Sequence, residues 1–406
     1  MKFHKAPTLF LVILSLISAT NSMGSSHGPN KGGYWPSWSI DLPPSAIDTT
    51  LFTHLYYAFL IPNNITFKFE IDDPTALLLK NFTTTLHEKK PSIKTLFSIG
   101  GGLVGPKLFS RMALGHDSRK SFILSTIEVA RKFGFDGVDL DWEFPQTPID
   151  MVNFGHLIHE WRVEVKKEAK STGKPELLLS AATYYKPEVT LDNVYRKYPV
   201  ESINKNLDWI NAMCYDYHGS WDLSTTGTLA ALYDPNSKVS TSDGLESWIK
   251  GKIHREKLVM GLPLYGRTWQ LKDPSLYGIG APAVDVGPGD EGQMLYADVE
   301  KFNVKNNAKV VFDFPTVSVY SVAGVSWIGY DDVRSVKIKI EYAQELKIGG
   351  YFFWAVNGDQ EWKISRKVRL CSDHFYARKG EEESCIAIYL YVKYTKVVKR
   401  LYRKVD

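Results

Sequence analysis

Asp136-Gly137-Val138-Asp139-Leu140-Asp141-Trp142-Glu143 alternates apolar and acidic side chains from Val138 onward. Successive side chains of an extended strand point to opposite faces, so Asp139, Asp141 and Glu143 share one face and Val138, Leu140 and Trp142 the other. A solvated edge strand would show the same alternation. Here, however, Phe133-Gly134-Phe135 closes a helical stretch just before it, and the segment falls where the fourth strand of a repeating series belongs. In a closed sheet its acidic face points at the barrel axis. Carboxyls crowded into a low-dielectric interior cannot all ionise, so protons are shared along the row. At about 3.3 Å per residue, Glu143 stands roughly 13 Å beyond Asp139, at the end of a barrel where active sites lie. Glu143 is the natural proton donor. The row lacks the looped donor arrangement with which carboxylates hold Mg²⁺ or Ca²⁺, so no metal is expected.

Outward from this segment, apolar runs of strand length recur at Gly33–Trp35, His54–Ile61, Ile93–Ile99, Gly137–Asp141, Leu177–Ala182, Trp209–Tyr215, Leu258–Leu262 and Gly349–Ala355. Amphipathic stretches separate them, clearest at Ser118–Phe133 and Met151–Ser171, where apolar positions return every three or four residues. Eight strands alternating with helices predict an α/β fold, the (β/α)8 TIM barrel. The rhythm breaks after Leu262. Residues 265–327 carry Gly, Pro and Asp clusters and short β-like pieces at Lys309–Phe312 and Thr316–Tyr320. That is too long for a loop, and it predicts a small α+β insertion between strand 7 and its helix, Asp331–Lys347.

With 406 residues, 44% of them hydrophobic and 23% charged, the chain can bury a large core. A net charge of +4 excludes polyanion binding as a main role, so no nucleic-acid partner is expected. Lys2 and Lys5 precede an apolar run, Leu9–Ile17, followed by small polar residues. Residues 1–24 therefore predict a cleaved signal peptide and a secreted, extracellular protein, with the vacuole as another destination. The run is too short to span a bilayer, so stable membrane association is not expected. The sequons at Asn64 and Asn81 agree with export. Three cysteines, Cys214, Cys371 and Cys385, exclude a disulfide-stapled scaffold and show no metal-ligand spacing. Cys214 predicts a buried thiol, and a Cys371–Cys385 pair is left open. The domain expected over residues 28–365 gives way at residues 366–406 to a basic tail, read as an appendage. The expectation is a monomer.

Asp-x-x-Asp-x-Asp-x-Glu over Asp136–Glu143 resembles the signature of glycoside hydrolase family 18, the chitinases and their relatives. Ser98-Ile-Gly-Gly101, Met213-Cys-Tyr215-Asp216 and Gly349-Gly-Tyr-Phe-Phe-Trp354 resemble its third-, sixth- and eighth-strand elements. The likeness is collinear from about Gly32 to Trp362 and is greatest to the plant class V chitinases. It implies a barrel enzyme that needs no cofactor and hydrolyses β-1,4-linked N-acetylglucosamine oligomers, either chitin fragments or lipo-chitooligosaccharides. Glu143 would protonate the glycosidic oxygen, Asp141 would hold the 2-acetamido group, and Asp139 would share its proton. Tyr215 would bond the acetamido oxygen, Asp216 would contact the sugar, and Trp354 would stack beneath it. The acetamido carbonyl would serve as nucleophile, with retention at the anomeric carbon. Met213, Tyr34, Phe59 and Arg267 join the expected substrate-binding set. Tyr34 and Phe59 also read as barrel-mouth packing and Arg267 as a surface arginine. Trp221 and Trp269 read equally as outer sugar platforms or as packing, His218 as a packed histidine, and Ser98 as a support for the carboxylate row. A chitooligosaccharide-binding lectin and an endo-β-N-acetylglucosaminidase are the alternatives on the same fold.

Overall fold

The structure, a computed structural model, describes residues 28–374. The expected leader at 1–24 and most of the tail lie outside the described residues, as does a Cys371–Cys385 pair, because Cys385 is not among them.

Eight parallel strands close into a barrel: Asn30–Pro36, His54–Leu60, Lys94–Gly100, Gly137–Asp141, Leu178–Tyr184, Trp209–Met213, Leu258–Pro263 and Gly350–Trp354. They follow one another around the barrel in chain order, the last pairing with the first. Each strand is buried on both faces, as a parallel barrel wrapped by helices requires. Val138, Leu140 and Trp142 pack outward into the large core between sheet and helices, together with Phe97, Phe109, Phe154 and Trp161. A smaller aromatic cluster fills the barrel interior, with Tyr34, Tyr56, Trp209, Met213 and Phe352 at its centre.

The expected helix at Ser118–Phe133 is seen as His116–Phe133, ended by Gly134 in a left-handed conformation (φ 77°) whose N–H bonds the Ala130 carbonyl. The helix after the carboxylate strand runs from Pro148 to Thr172 and starts on a capping box between Thr147 and Asp150. That cap fixes the exit of the short loop carrying Glu143.

Between the seventh strand and the helix Val333–Glu345, the chain builds a six-stranded antiparallel sheet and one helix, Tyr296–Lys305. The strand Tyr265–Leu271 is central, pairing with Ala283–Val286, Gln293–Leu295 and Ser326–Tyr330. The sheet thus continues to Tyr330, beyond the expected limit at residue 327, because Trp327, Ile328 and Gly329 are needed opposite Trp269, Thr268 and Arg267. A hairpin at Glu188–Leu191 and Val194–Lys197 also stands outside the barrel. Its two strands, of four residues each, are too short to show a strand period in the sequence.

Candidate active site

Asp139 sits at mid-height in the barrel, and its neighbours in the sheet register are Ser98 on the third strand and Ser180 on the fifth. Both serines turn inward at the same level. Ser98 Oγ donates to Asp139 Oδ2 at 2.7 Å, and Ser180 Oγ donates to Oδ1 at 2.7 Å. Tyr34 adds a third bond from the first strand, its hydroxyl donating to Oδ2 at 2.8 Å. Tyr34 accepts in turn from Asn211 Nδ2 at 3.0 Å and stacks on Tyr56, the ring centroids 4.4 Å apart. Burial pushes the Asp139 carboxyl up, and these three donors act against it by favouring the ionised form.

Asp141, two residues up the same face, has no comparable set of donors. Its Oδ1 is buried and makes no hydrogen bond. Burial, then the charges of Glu143 and Asp139, push this carboxyl well above the ordinary range, which favours the protonated form. Glu143 follows at the barrel mouth beside Gly102, where a Cβ in place of the glycine hydrogen would lie 3.5 Å from Oε1. Burial first, and the charge of Asp216 second, push Glu143 up to about 7. A carboxylic acid that keeps its proton at neutral pH can donate it.

The sixth strand delivers Met213, Tyr215 and Asp216 to the same mouth. Met213 is buried in the interior cluster, against which the partly exposed Tyr215, Phe59 and Trp354 pack. Trp354 stacks on Phe59 with centroids 5.5 Å apart and meets Tyr34 edge-on at 5.6 Å. These rings form an apolar floor beside the carboxylates. The peptide bonds Ala58–Phe59, Glu143–Phe144 and Trp354–Ala355 are cis. Asp216 is held by Arg267, which donates from Nε to Oδ1 at 2.8 Å and from Nη2 to Oδ2 at 3.0 Å. The residues expected to form the site thus lie on or just after the first, second, fourth, sixth and eighth strands, with Arg267 reaching Asp216 from the inserted sheet.

Residues 30–359 match the family described as glycosyl hydrolases family 18. The chain belongs to that family. It is 48% identical over 365 residues to class V chitinase CHIT5a of Medicago truncatula, covering 89% of this chain and 94% of that one. Over 340 residues it is 49% identical to Nod factor hydrolase protein 1 of the same plant, covering 82% and 88%. Among solved structures, a mutant class V chitinase from Nicotiana tobaccum in complex with NAG4 aligns with a TM-score of 0.81 at 40% identity, covering 84% of this chain and 98% of that one. This family 18 chain is a glycoside hydrolase.

The family 18 structure decides between the readings left open for individual residues and keeps others. Trp269 is no sugar platform: it is fully buried in the inserted sheet, its indole donating to the Asp222 carbonyl at 2.9 Å and its ring meeting Trp327 at 5.4 Å. Trp221 does stay exposed, at 60%. Arg267 is not a free surface arginine, since its guanidinium is spent on Asp216. His218 packs on Gly227, where an added Cβ would come within 2.2 Å of the ring, and burial lowers its basicity. Cys214 is a buried free thiol pushed up to about 12 by burial, which makes it a poor nucleophile. Ser180, Asn211 and Tyr265 were missed by sequence reading. Ser180 was open to it, because aligning the fifth strand against the fourth places this hydroxyl opposite Asp139.

Proposed function

We propose that the chain hydrolyses β-1,4-linked N-acetylglucosamine oligomers, with Glu143 as general acid and base and with the substrate's own acetamido group as nucleophile. The observation that carries this reading is the asymmetry of the row. Asp139 accepts from three hydroxyl donors, Asp141 has a buried oxygen with no partner, and Glu143 holds its proton to about pH 7. Glu143 gives that proton to the glycosidic oxygen as the bond to the anomeric carbon breaks. Asp141, protonated beside two other carboxyls, is placed to bond the acetamido group and hold its carbonyl oxygen against the anomeric carbon. Asp139, with its negative charge favoured by three hydroxyl donors, accepts the shared proton from Asp141 while that side chain is not engaged with substrate.

Retention by a protein nucleophile needs a second carboxylate about 5–5.5 Å away across the scissile bond. Here Asp139 and Asp141 lie on the acid's own strand, and Asp216 is tied to Arg267. An internal nucleophile resolves that. Tyr215 contributes a hydroxyl whose ionisation is strongly opposed by burial, so it stays a donor to the acetamido oxygen. Trp354 and Phe59 offer the apolar floor for the sugar ring. Water then opens the cyclic intermediate, with Glu143 taking its proton. Acylated oligomers are a further substrate class for the same chemistry, and export through the leader would place the enzyme where such oligomers occur.

The test is turnover of chitooligosaccharides of defined length, with and without an acyl group, by wild type and Glu143→Gln. Wild type should release product of retained anomeric configuration. Glu143→Gln should lose roughly a thousandfold in kcat while still binding the oligomer. Oligomers lacking the acetyl group at the cleaved residue should resist cleavage. Binding without any product from wild type would show a lectin instead, and cleavage of glycoproteins but not of chitin oligomers would move the substrate to N-linked glycans.

A further inference from the structure

The strand Tyr265–Leu271 belongs to the inserted sheet, yet it reaches back to the barrel mouth. Arg267 is held in that strand between Gln293 on one side and Gly329 on the other. Its guanidinium lies 5.2 Å from the centroid of the Trp221 ring and 5.6 Å from that of Tyr265. Stacking of this kind keeps the planar fork in one orientation. The fork then grips both oxygens of Asp216, 51 residues away in sequence. Asp216 itself sits in the left-handed region, at φ 55°. Aspartate tolerates that conformation better than most residues, but it persists only where the surroundings over-determine it. The two-point grip of Arg267 is such a determinant.

Glu143 interacts with Asp141 from its own strand, Tyr215 and Asp216 from the end of the sixth strand, Tyr265 from the inserted sheet and Tyr198 from the loop after the fifth strand, and Arg267 joins this set through Asp216. Arg267 is the cation in that set. We propose that Arg267 is a positioning residue which, through its fork on Asp216, fixes the orientation of that carboxylate and the net negative charge Glu143 meets, so that the inserted sheet helps set the pH range in which the acid works. The inference rests on the assignment of Glu143 as the acid.

The experiment is kcat/KM against pH on a chitooligosaccharide for wild type, Arg267→Lys, Arg267→Met, Asp216→Asn and the double variant Asp216→Asn/Arg267→Met. Loss of the cation leaves Asp216 uncompensated, and a more negative surrounding holds the Glu143 proton more tightly. The alkaline limb should therefore move up by about one pH unit in Arg267→Met, the low end of what a neighbouring charge does. In Arg267→Lys the charge remains and the fork is lost, so the limb should stay in place while KM rises. In Asp216→Asn the limb should move down, and adding Arg267→Met there should shift it less than in the wild-type background. Equal shifts in both backgrounds, or an unmoved limb with only a raised KM in Arg267→Met, would overturn the proposal, the latter showing an arginine that merely holds sugar. If Arg267→Met does not fold, Arg267→Gln carries the same comparison. High activity in Glu143→Gln would defeat the acid assignment, whereas an inactive Glu143→Gln with an unmoved limb in Arg267→Met would defeat only this inference.

Discussion

Asp139, Asp141 and Glu143 share a strand face and a chemical class, and their neighbours make them unequal. Ser180 supplies the hydrogen bond to Asp139 Oδ1, and Ser98 and Tyr34 supply those to Oδ2. A bond to a charged group contributes about 1.5–3 kcal/mol. Ser180→Ala should therefore hinder ionisation of Asp139 and cut kcat by roughly tenfold or more, with KM little changed, since roughly 1.4 kcal/mol is a factor of ten. An unaltered kcat would mean that the charge on Asp139 is not needed. Glu143 gives a pH expectation in the wild type. Its carboxyl is raised to about 7 by burial and by Asp216, so the acid form prevails below that value. The kcat/KM of wild type should fall as pH rises through about 7, and a plateau extending to pH 9 would contradict it. The alternation along Val138–Glu143 exposed these three residues in the sequence. Their inequality was not legible there, because each depends on hydroxyls from other strands.

At the scale of elements, the third and fourth strands are tied together at the bottom of the barrel. Asp136 accepts from Lys94 Nζ at 2.7 Å and from the Thr95 N–H at 2.9 Å, and it pairs with the His87 ring at 3.0 Å. Burial alone would push this carboxyl up, but the bonds from His87, Lys94 and Thr95 outweigh it and hold it at about 2. A carboxyl lowered on folding stabilises the native state above its unfolded value, near 4, and the contribution is lost as pH falls toward 2. Discounted for partial exposure, Asp136→Asn should cost about 1 kcal/mol at pH 6. Urea unfolding of both forms should show the gap closing between about pH 4 and pH 2; a constant gap would point to a steric cause. The strands and the two long helices were readable from period and caps. The hairpin Glu188–Lys197 escaped because its strands are four residues each and mostly polar, although Asp192 and Asn193, at φ 52° and 59°, form the two-residue turn such a hairpin needs.

For the molecule as a whole, the inserted sheet must be joined rigidly to the barrel if it is to present Arg267. One joint is fully buried. Lys339, on the helix after the insertion, bonds Asp331 Oδ1 at 2.6 Å and also the carbonyl of Ala230. Ala230 packs with Leu229 and Tyr265 against Tyr215 and Trp354, so the joint backs the site wall. Burial pushes Asp331 up and Lys339 down, and their mutual attraction opposes both changes. Breaking a buried pair from one side leaves an uncompensated charge, so Lys339→Met should cost about 3–5 kcal/mol. Lys339→Met/Asp331→Leu should recover much of that in thermal unfolding. A double variant as unstable as the single one would show that packing around Lys339 matters more than charge.

By itself the sequence determined the strand count, the inward carboxylate row and the place of the insertion, because each is written in a local period or a short motif. Pairing between distant strands decided the rest. Barrel pairing set Ser98 and Ser180 on either side of Asp139, while pairing within the inserted sheet turned Trp269 inward and brought Arg267 onto Asp216 across 51 residues of chain. Local period specifies which face a side chain takes; only the register between distant strands specifies what it meets there.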